Sequence, residues 1–141
     1  MQKHLNLYKN KYLCRRSRIK RLSLFLSIYL TLAPGFAFAL PSEPIVRNGS
    51  VSFNQTDSKT LNIIQSTDKA IIDWNSFNIK PNEAAHFQMP SANSINVSRV
   101  TGGVSSDIFG TLTSNGNLML INPNGILFGK NSRVDVNGLV A

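Results

Sequence analysis

Short apolar runs separated by Asn-Gly pairs set the pattern of the second half of this chain. Between residues 94 and 141 the apolar runs are three to five residues long, and polar residues and glycines lie between them. Runs of this length, bounded by turn-forming residues, are typical of β-strands. Three Asn-Gly pairs each precede an apolar run, and these pairs are Asn115-Gly116, Asn124-Gly125 and Asn137-Gly138. The pattern therefore predicts a series of short strands joined by tight turns.

The preceding segment shows the same preference in a less regular form. Six short stretches favour strands, at residues 50–54, 61–65, 70–74, 77–79, 85–89 and 95–100. Apolar and polar residues alternate in several of them, as at Val51 and Phe53, which predicts strands with one buried face. Helical periodicity is weak, so we expect an all-β fold in which helix is a minor component at most.

Two architectures fit these strands. An Asn-Gly pair between apolar runs favours an antiparallel hairpin, in which residues 118–121 pair with the strand that starts at Ile126. In a solenoid, residues 122–125 form a corner instead, and one coil returns after about 20 residues. The first and last Asn-Gly pairs are 137 − 115 = 22 positions apart. This spacing favours the solenoid but leaves the hairpin open.

A right-handed β-solenoid gives the apolar residues one continuous core. Its side chains stack inward from coil to coil, and glycine or asparagine occupies corners that need a positive φ. The residues expected to face inward are Leu112, Leu118, Leu120, Ile126, Phe128, Val134, Val136 and Leu139. The irregular strands before residue 90 include the only tryptophan, Trp74, and are expected to cap the stack. Because the sequence stops within an apolar run, we expect a fragment of a longer protein.

Positive charge is concentrated at the N-terminus. The chain has 15 Lys and Arg against 7 Asp and Glu, and eight of the basic residues lie in the first 21 positions. An apolar stretch at 22–32 follows, and then Pro34-Gly35 and the small residues Ala37 and Ala39. This order predicts a helical signal peptide at 1–39 that engages the Sec machinery and is cleaved after Ala39. An uncleaved membrane anchor is the alternative, which Pro34-Gly35 disfavours by interrupting the apolar length.

Cleavage of a signal peptide limits the chemistry of the exported part. The basic cluster would leave with the signal peptide, so we expect no nucleic-acid partner. The only cysteine, Cys14, lies in the same segment, which excludes disulfides and cysteine metal sites from the exported part. Seven scattered acidic residues and one exported histidine, His86, lack the paired carboxylates of glycoside-cleaving enzymes. We therefore expect no catalytic residue, no metal site and no cofactor.

Several segments together resemble a known family. They are AIIDWNSFNI at 70–79, NEAAHFQ at 82–88, SRVTGG at 98–103, SSDIFGTLTSNGNLMLINPNGILFG at 105–129 and NGLVA at 137–141. Through them the chain resembles the N-terminal secretion (haemagglutination activity) domain of two-partner secretion exoproteins, the filamentous haemagglutinin and high-molecular-weight adhesin family. The resemblance implies a right-handed parallel β-helix with an N-terminal cap. We place the cap at about 40–90 and the first coils at about 91–141.

The resemblance also implies a task in secretion. Exoproteins of this family leave Gram-negative cells through Sec and then through a dedicated outer-membrane transporter, whose periplasmic POTRA domains recognise the secretion domain. Folding of the β-helix then starts from this domain at the cell surface. The alternative is a self-standing adhesion module that binds host glycans or receptors. In proteins of this family, host-cell receptors are generally contacted by regions downstream of this segment.

Two sets of residues are candidates for a specific role. The first set lies at the predicted corner and consists of Asn122, Pro123, Asn124, Gly125 and Ile126. We expect these residues either to contact the transporter directly or only to shape the turn of the fold. Proline restricts φ at one turn position, and Asn-Gly supplies conformations that β-branched residues resist. The second set is expected in turns and consists of Arg99, Gly102, Gly103, Asn115 and Gly116.

Overall fold

The structure is a computed structural model that describes residues 40–141 of the 141-residue chain. The predicted signal peptide at 1–39 and its cleavage residues, Ala37 and Ala39, lie outside the described residues. Within residues 40–141, no helix is long and apolar enough to cross a membrane. The described segment is all-β, which confirms the predicted fold class.

Ten strands follow one another along the described residues. In chain order they are β1 (Ile45–Asn48), β2 (Val51–Asp57), β3 (Thr60–Gln65), β4 (Lys69–Trp74), β5 (Ala84–Gln88), β6 (Ile95–Val100), β7 (Ser106–Ile108), β8 (Thr111–Ile121), β9 (Ile126–Phe128) and β10 (Arg133–Val140). The segment 77–79, expected to be a strand, contributes one parallel bridge from Ile79 to Ile108. The other predicted strands match β2 to β6 closely, because their apolar alternation reflects a buried face.

The chain winds into a right-handed parallel β-solenoid with three faces. Face A consists of β3, β5 and the first halves of β8 and β10. Face B consists of β4, β6 and the second halves of β8 and β10. Face C is smaller and consists of β7, β9 and the segment around Ile79. Each coil passes through faces A, B and C in turn, and the described residues make about four coils.

Coil length accounts for the Asn-Gly spacing of the sequence. On face A, Leu112 aligns with Val134, 134 − 112 = 22 positions later. One coil earlier, Ala85 aligns with Leu112, 112 − 85 = 27 positions later. That coil is longer chiefly because residues 89–94 form a loop between β5 and β6, whereas β8 continues across the same corner. The hairpin alternative is wrong, since β9 pairs in parallel with β7 and not with β8.

The first coil is covered by strands that run against it. β1 pairs antiparallel with β4 on face B, and β2 pairs antiparallel with β3 on face A. Ser42 adds an antiparallel bridge to Ser76. These strands satisfy backbone groups at a sheet edge that would otherwise be free to pair with another chain. Parallel pairing already begins at Thr60, whereas the sequence analysis placed the first coils at about 91.

Aromatic residues join the cap to the core. The ring of Trp74 lies 5.6 Å from that of Phe53 in the cap and 5.4 Å from that of Phe77, measured between centroids. Both pairs are edge-to-face, the geometry that aromatic quadrupoles favour. Trp74 is 1% exposed, so its indole lies in the core beneath the cap.

The residues predicted to face inward do stack in register. Leu112, Leu118 and Leu120 are fully buried, while Ile126 and Val136 pack against the same core. Phe128 and Leu139 align with buried residues of the coil below, yet each is 37% exposed. They belong to the last coil of the described segment, where no described strand packs over them. Their exposure therefore follows from their position in the stack.

Strand β6 reverses the usual placement of polar and apolar side chains. Asn96 and Ser98 face inward and are fully buried, while Ile95 and Val97 face outward and are half-buried. Inside the coil, Asn96 Nδ2 donates to Gln65 Oε1 at 2.9 Å, and Ser98 Oγ donates to Asn96 Oδ1 at 2.8 Å. The buried amides are thus paired, as burial of polar groups requires. The apolar side chains of this strand are left on the outer surface of face B.

Candidate recognition site at the solenoid corner

The corner after β8 is a hydrogen-bonded tight turn. The backbone N–H of Gly125 donates to the Asn122 carbonyl oxygen at 3.0 Å. The backbone N–H of Asn124 donates to Asn122 Oδ1 at 2.9 Å, so the side-chain oxygen closes a second, smaller ring. Pro123 occupies the second turn position, where its fixed φ is favourable. The sequence Asn-Pro-Asn-Gly therefore specifies this turn locally.

The same asparagine ties the corner to the coil below. Asn122 Nδ2 donates to the Val104 carbonyl oxygen and to Ser106 Oγ, both at 2.9 Å. The backbone N–H of Ser106 donates to the Gly125 carbonyl oxygen at 3.0 Å. The turn therefore rests on residues 101–105, which form the equivalent corner of the preceding coil. One amide side chain thus supplies both the local turn and the link between successive coils.

Only the glycine of the corner needs an unusual backbone conformation. Gly125 has φ of +95°, and a Cβ built there would meet no atom within 4 Å. The cost of a larger residue at this position therefore comes from backbone conformation and not from crowding. Asn124 is not among the described residues with positive φ, so the expectation that it supplies such a conformation is wrong. Pro123, Asn124 and Gly125 are exposed, whereas Ile126 is half-buried at the start of β9.

Asn115 and Gly116 lie in strand β8 and not in the predicted turn. Asn115 Oδ1 accepts a hydrogen bond from the Met89 backbone N–H at 2.7 Å, and Asn115 Nδ2 donates to the Met89 carbonyl oxygen at 2.8 Å. The side chain therefore takes the place of a strand partner where β8 crosses from face A to face B. A Cβ on Gly116 would collide with Met89 Sδ. Close packing, rather than a positive φ, thus explains the glycine.

The other predicted turn residues divide between a loop and a strand. Gly102 and Gly103 lie in the loop between β6 and β7, where Gly103 has φ of +79°. A side chain on Gly102 would collide with the Asn75 backbone, which explains the glycine there. Arg99, in contrast, lies in β6 and not in a turn. Its placement follows from the parallel pairing of β6 with β4, which aligns it with Asp73.

Arg99 takes part in an ion-pair cluster on the outside of face B. Asp73 binds Arg47 of the cap at 2.7 Å and Arg99 of the next coil at 2.6 Å, nitrogen to oxygen. The hydrogen bond from Arg47, assisted by that from Arg99, holds the pKa of Asp73 below its ordinary value of 3.8, although burial opposes this shift. The cluster therefore links β1, β4 and β6 across three neighbouring strands.

A polar row crosses the outside of face A. Asn62, His86, Thr113 and Asp135 occupy successive coils in register. His86 Nδ1 lies 2.6 Å from Thr113 Oγ1, and the row lines an open groove of about 490 Å³. Among residues 40–141, no group of three or more His, Cys, Asp or Glu could hold a metal ion. The groove offers hydrogen-bonding groups to a ligand but no clustered carboxylates for acid–base chemistry.

Comparison with known proteins identifies the family. A family model described as the TPS secretion domain, the secretion domain of two-partner secretion, matches residues 37–141. The chain belongs to the TPS secretion domain family. Members of this family interact with an outer-membrane transporter, which is the second partner of the system. The match spans the cap, the coils and the corner described above.

Relatives of this TPS domain occur in Haemophilus influenzae. Two proteins named heme/hemopexin-binding protein are 35% and 38% identical over 125 residues, the second from strain Rd. Each match covers 86% of this chain and 14% of the relative. The crystal structure of the HMW1 secretion domain superposes with a TM-score of 0.66 at 39% identity, covering 70% of this chain and 26% of that one. The TPS domain described here thus spans about a seventh of the relatives' length.

One surface of this TPS domain was not predicted from its sequence. On the outside of face B, Ile71, Val97, Met119 and Val140 align in register across four coils. We call these four residues the outer stripe. The sequence feature that could have indicated this surface is the INVSRV segment at 95–100. Its odd-numbered and even-numbered positions both contain apolar residues, so hydrophobic patterning alone cannot decide which of the two faces of the strand is buried.

Proposed function

We propose that this chain is the secretion module of a larger exoprotein. It is exported by the Sec machinery and recognised in the periplasm by the POTRA domains of its outer-membrane transporter, which moves the exoprotein to the cell surface or the medium. The observation that carries this proposal is the match of residues 37–141 to the TPS secretion domain. The similarity to the solved HMW1 secretion domain supports it independently.

The module also nucleates β-helix folding at the cell surface. The antiparallel strands β1 and β2 occupy the edges of the first coil on faces A and B. A covered edge cannot add a further parallel coil, so growth of the stack is directed away from the cap. Each added coil contacts mainly its neighbour, as in other repeat architectures. A chain that emerges with its N-terminal cap first can therefore fold in the order in which it is delivered.

This role is one of recognition and folding rather than catalysis. The corner presents exposed backbone and amide groups, and the face A groove presents hydrogen-bonding side chains. We propose that cargo binding, including any binding of haem or hemopexin by the parent exoprotein, is a task of regions outside this chain. The mixed polar and apolar lining of the face A groove makes this groove a poor site for haem, because a haem-sized apolar ligand needs a predominantly apolar site.

Binding to the transporter tests the proposal directly. The purified full chain is titrated with the soluble POTRA domains of its transporter, and far-UV circular dichroism is recorded on the same sample. We expect a β-rich spectrum and saturable binding. A folded chain that does not bind the POTRA domains contradicts the proposal, and binding of that same chain to a glycan array would favour the adhesion module instead.

A further inference from the structure

Asn-Gly pairs have a reactivity of their own, apart from their use in turns. In such a pair the backbone nitrogen of the glycine can attack the side-chain carbonyl carbon of the asparagine, because glycine has no Cβ to hinder the approach. The reaction needs an asparagine side chain that is not bound elsewhere and a peptide group that is free to rotate. The described residues contain four such pairs, which are Asn48-Gly49, Asn115-Gly116, Asn124-Gly125 and Asn137-Gly138.

Hydrogen bonds hold the asparagine side chain in two of the four pairs. Asn115 Oδ1 and Nδ2 both bond to the Met89 backbone, at 2.7 Å and 2.8 Å. Asn137 Nδ2 donates to a carbonyl oxygen of the loop between β5 and β6 at 2.9 Å. The side chains of Asn48 and Asn124 make no hydrogen bond within residues 40–141. Side-chain bonding therefore leaves two candidate pairs.

Space around the glycine distinguishes Asn124-Gly125 from the other pairs. In three pairs, a Cβ built on the glycine would lie 2.5 Å from a neighbouring atom, namely Lys69 O at Gly49, Met89 Sδ at Gly116 and Asn117 Oδ1 at Gly138. The same Cβ on Gly125 would meet no atom within 4 Å. The peptide group between Asn124 and Gly125 is thus the one among the four that can rotate without displacing a packed neighbour.

The corner directs the reaction to Asn124 and not to Asn122. The side chain of Asn122 is bonded through both Oδ1 and Nδ2, and the nitrogen of the following Pro123 has no hydrogen to lose. The Gly125 N–H is held by a 3.0 Å bond to the Asn122 carbonyl oxygen. Since Pro123, Asn124 and Gly125 are exposed, this bond can open in a local fluctuation that exposes no core. The three other pairs lie in or at the end of paired strands, so their opening would separate strands.

We propose that Asn124 is a site of spontaneous deamidation that the fold selects, and that the product weakens the corner. The Gly125 nitrogen loses its proton to hydroxide and forms a bond to Asn124 Cγ. The bond from Cγ to Nδ2 breaks, and Nδ2 takes a proton from water and leaves as ammonia, which gives a cyclic succinimide. Water then opens the ring at either carbonyl to give aspartate or isoaspartate. Water is consumed, ammonia is released and no oxidant or reductant is needed, so the inference does not depend on the transporter.

Isoaspartate changes the corner more than aspartate does. Its main chain runs through the former side-chain carbons, so the ring closed by the Gly125 N–H and the Asn122 carbonyl oxygen gains one methylene. The Gly125 carbonyl oxygen also accepts the bond from the Ser106 N–H, at 3.0 Å, that links the corner to the coil below. Both bonds should weaken in the isoaspartyl chain. Either product adds one negative charge to residues 40–141, which contain seven basic and seven acidic residues.

Site-resolved deamidation rates test the selection by the fold. The purified full chain is incubated at mildly alkaline pH, and peptide mapping by mass spectrometry follows the replacement of –NH2 by –OH at each of the four pairs. In the folded chain we expect the rate at Asn124 to be at least about tenfold higher than at the other three pairs, because strand opening costs more free energy than the opening of an exposed turn. In a matched sample unfolded in urea, the four rates should converge.

Two results would overturn this selection. One is similar rates at the four pairs of the folded chain, and the other is an intact Asn124 in the folded chain while the urea sample reacts. Asn124→Gln is the control, because a glutamine needs a larger ring for the same attack and should lose most of the reaction. An unchanged overall rate in this folded variant would place the reactive residue elsewhere.

The thermal stability of the product tests the second half of the proposal. The isoaspartyl chain, separated from the unmodified chain, is compared with Asn124→Asp, which adds the same charge without lengthening the main chain. We expect a lower Tm for the isoaspartyl chain and little change for Asn124→Asp. An isoaspartyl chain that melts at the same temperature as the unmodified chain would show that the corner is not weakened.

Discussion

At the scale of single residues, Asn122 holds together the corner after β8. Its carbonyl and side-chain oxygens close the turn, and its side-chain nitrogen reaches the coil below. Asn124, two positions later, contributes only its backbone N–H to the bonds that define the turn. Two asparagines of one short motif thus have different roles, which a sequence alone does not separate.

This difference predicts unequal effects of alanine at the two positions. Asn122→Ala should lower the free energy of unfolding by about 1–3 kcal/mol, because hydrogen bonds within and between coils are lost. Asn124→Ala should change it by less than about 0.5 kcal/mol, as for other exposed positions. Urea denaturation followed by circular dichroism measures both. Equal destabilisation by the two substitutions would contradict the structural role assigned to Asn122.

The conformation of Gly125 leads to a separate prediction for that residue. A valine there must adopt positive φ, which costs about 1–2 kcal/mol or more for a β-branched residue. Asn124→Ile meets no such penalty, because Asn124 does not have a positive φ. Thermal unfolding of the two variants should therefore show a lower Tm for Gly125→Val only. A similar loss in Asn124→Ile would mean that the turn differs from the one described.

Asp73 makes stability depend on pH. Since the pKa of its carboxyl is lowered in the folded chain, its contribution is complete above the ordinary value of 3.8 and is lost as pH falls through the lowered value. At pH 7, Asp73→Asn should reduce the free energy of unfolding by about 1 kcal/mol, because both arginine head groups are half-exposed and screened. Melting curves from pH 7 to 2 should show this difference shrink below pH 4. The exposed Asp135→Asn serves as control, and a pH-independent difference for Asp73→Asn would refute the account.

At the scale of strands, β8 shows what apolar patterning can and cannot specify. Leu118 and Leu120 were predicted to face inward and are buried, two positions apart as in a strand with one buried face, although Met119 and Ile121 are equally apolar and face outward. The Asn-Gly pair before them was expected to be a turn but continues the strand. Asn124-Gly125 has the same composition and does form a turn, with Pro123 before it. The difference depends on Met89, a contact partner 26 positions away from Asn115 that local propensity does not include.

In strand β6 the buried side chains are polar, and this arrangement leads to a prediction. Its buried set contains asparagine and serine because Gln65, in the coil below, supplies their partner. Asn96→Ala should destabilise the chain by about 1–3 kcal/mol, since buried amide and hydroxyl groups lose their partners. Asn131→Ala, at an exposed position before β10, should cost less than about 0.5 kcal/mol. Chemical denaturation of both variants tests this, and a neutral Asn96→Ala would mean that the inner network contributes no stability.

At the scale of the whole molecule, the cap and the coils form one core through Trp74. Its indole contacts a ring from the cap and a ring from the first coil. Trp74→Ala should cost about 3–5 kcal/mol, the range for large-to-small changes in cores. Leu127→Ala, at a position 54% exposed, should cost less than about 0.5 kcal/mol. If loss of the indole left the Tm unchanged, the cap would not be coupled to the coils.

The solenoid as a whole could be anticipated from the sequence better than its surfaces could. The 22-residue spacing and the inward leucines are set by coil-to-coil stacking, which repeats along the chain and leaves a periodic signal. The outer stripe has no such signal, because Val97 and Met119 look like ordinary core residues until the register is known. The cap was predicted to extend to about residue 90, yet parallel pairing begins at Thr60, because apolar alternation does not reveal in which direction neighbouring strands run. Strands β2 and β3 show similar alternation, although β2 belongs to the cap and pairs antiparallel with β3, whereas β3 belongs to the first coil and pairs in parallel with β5.

Secretion of the full chain in the presence and absence of its transporter tests the central claim most directly. The full chain is produced in a Gram-negative host, and its amount in the medium and at the cell surface is measured against the amount in the periplasm. We predict that the chain reaches the outside only when the transporter is present, and that it remains periplasmic otherwise. Equal amounts outside the cell with and without the transporter would contradict the assignment as a two-partner secretion module.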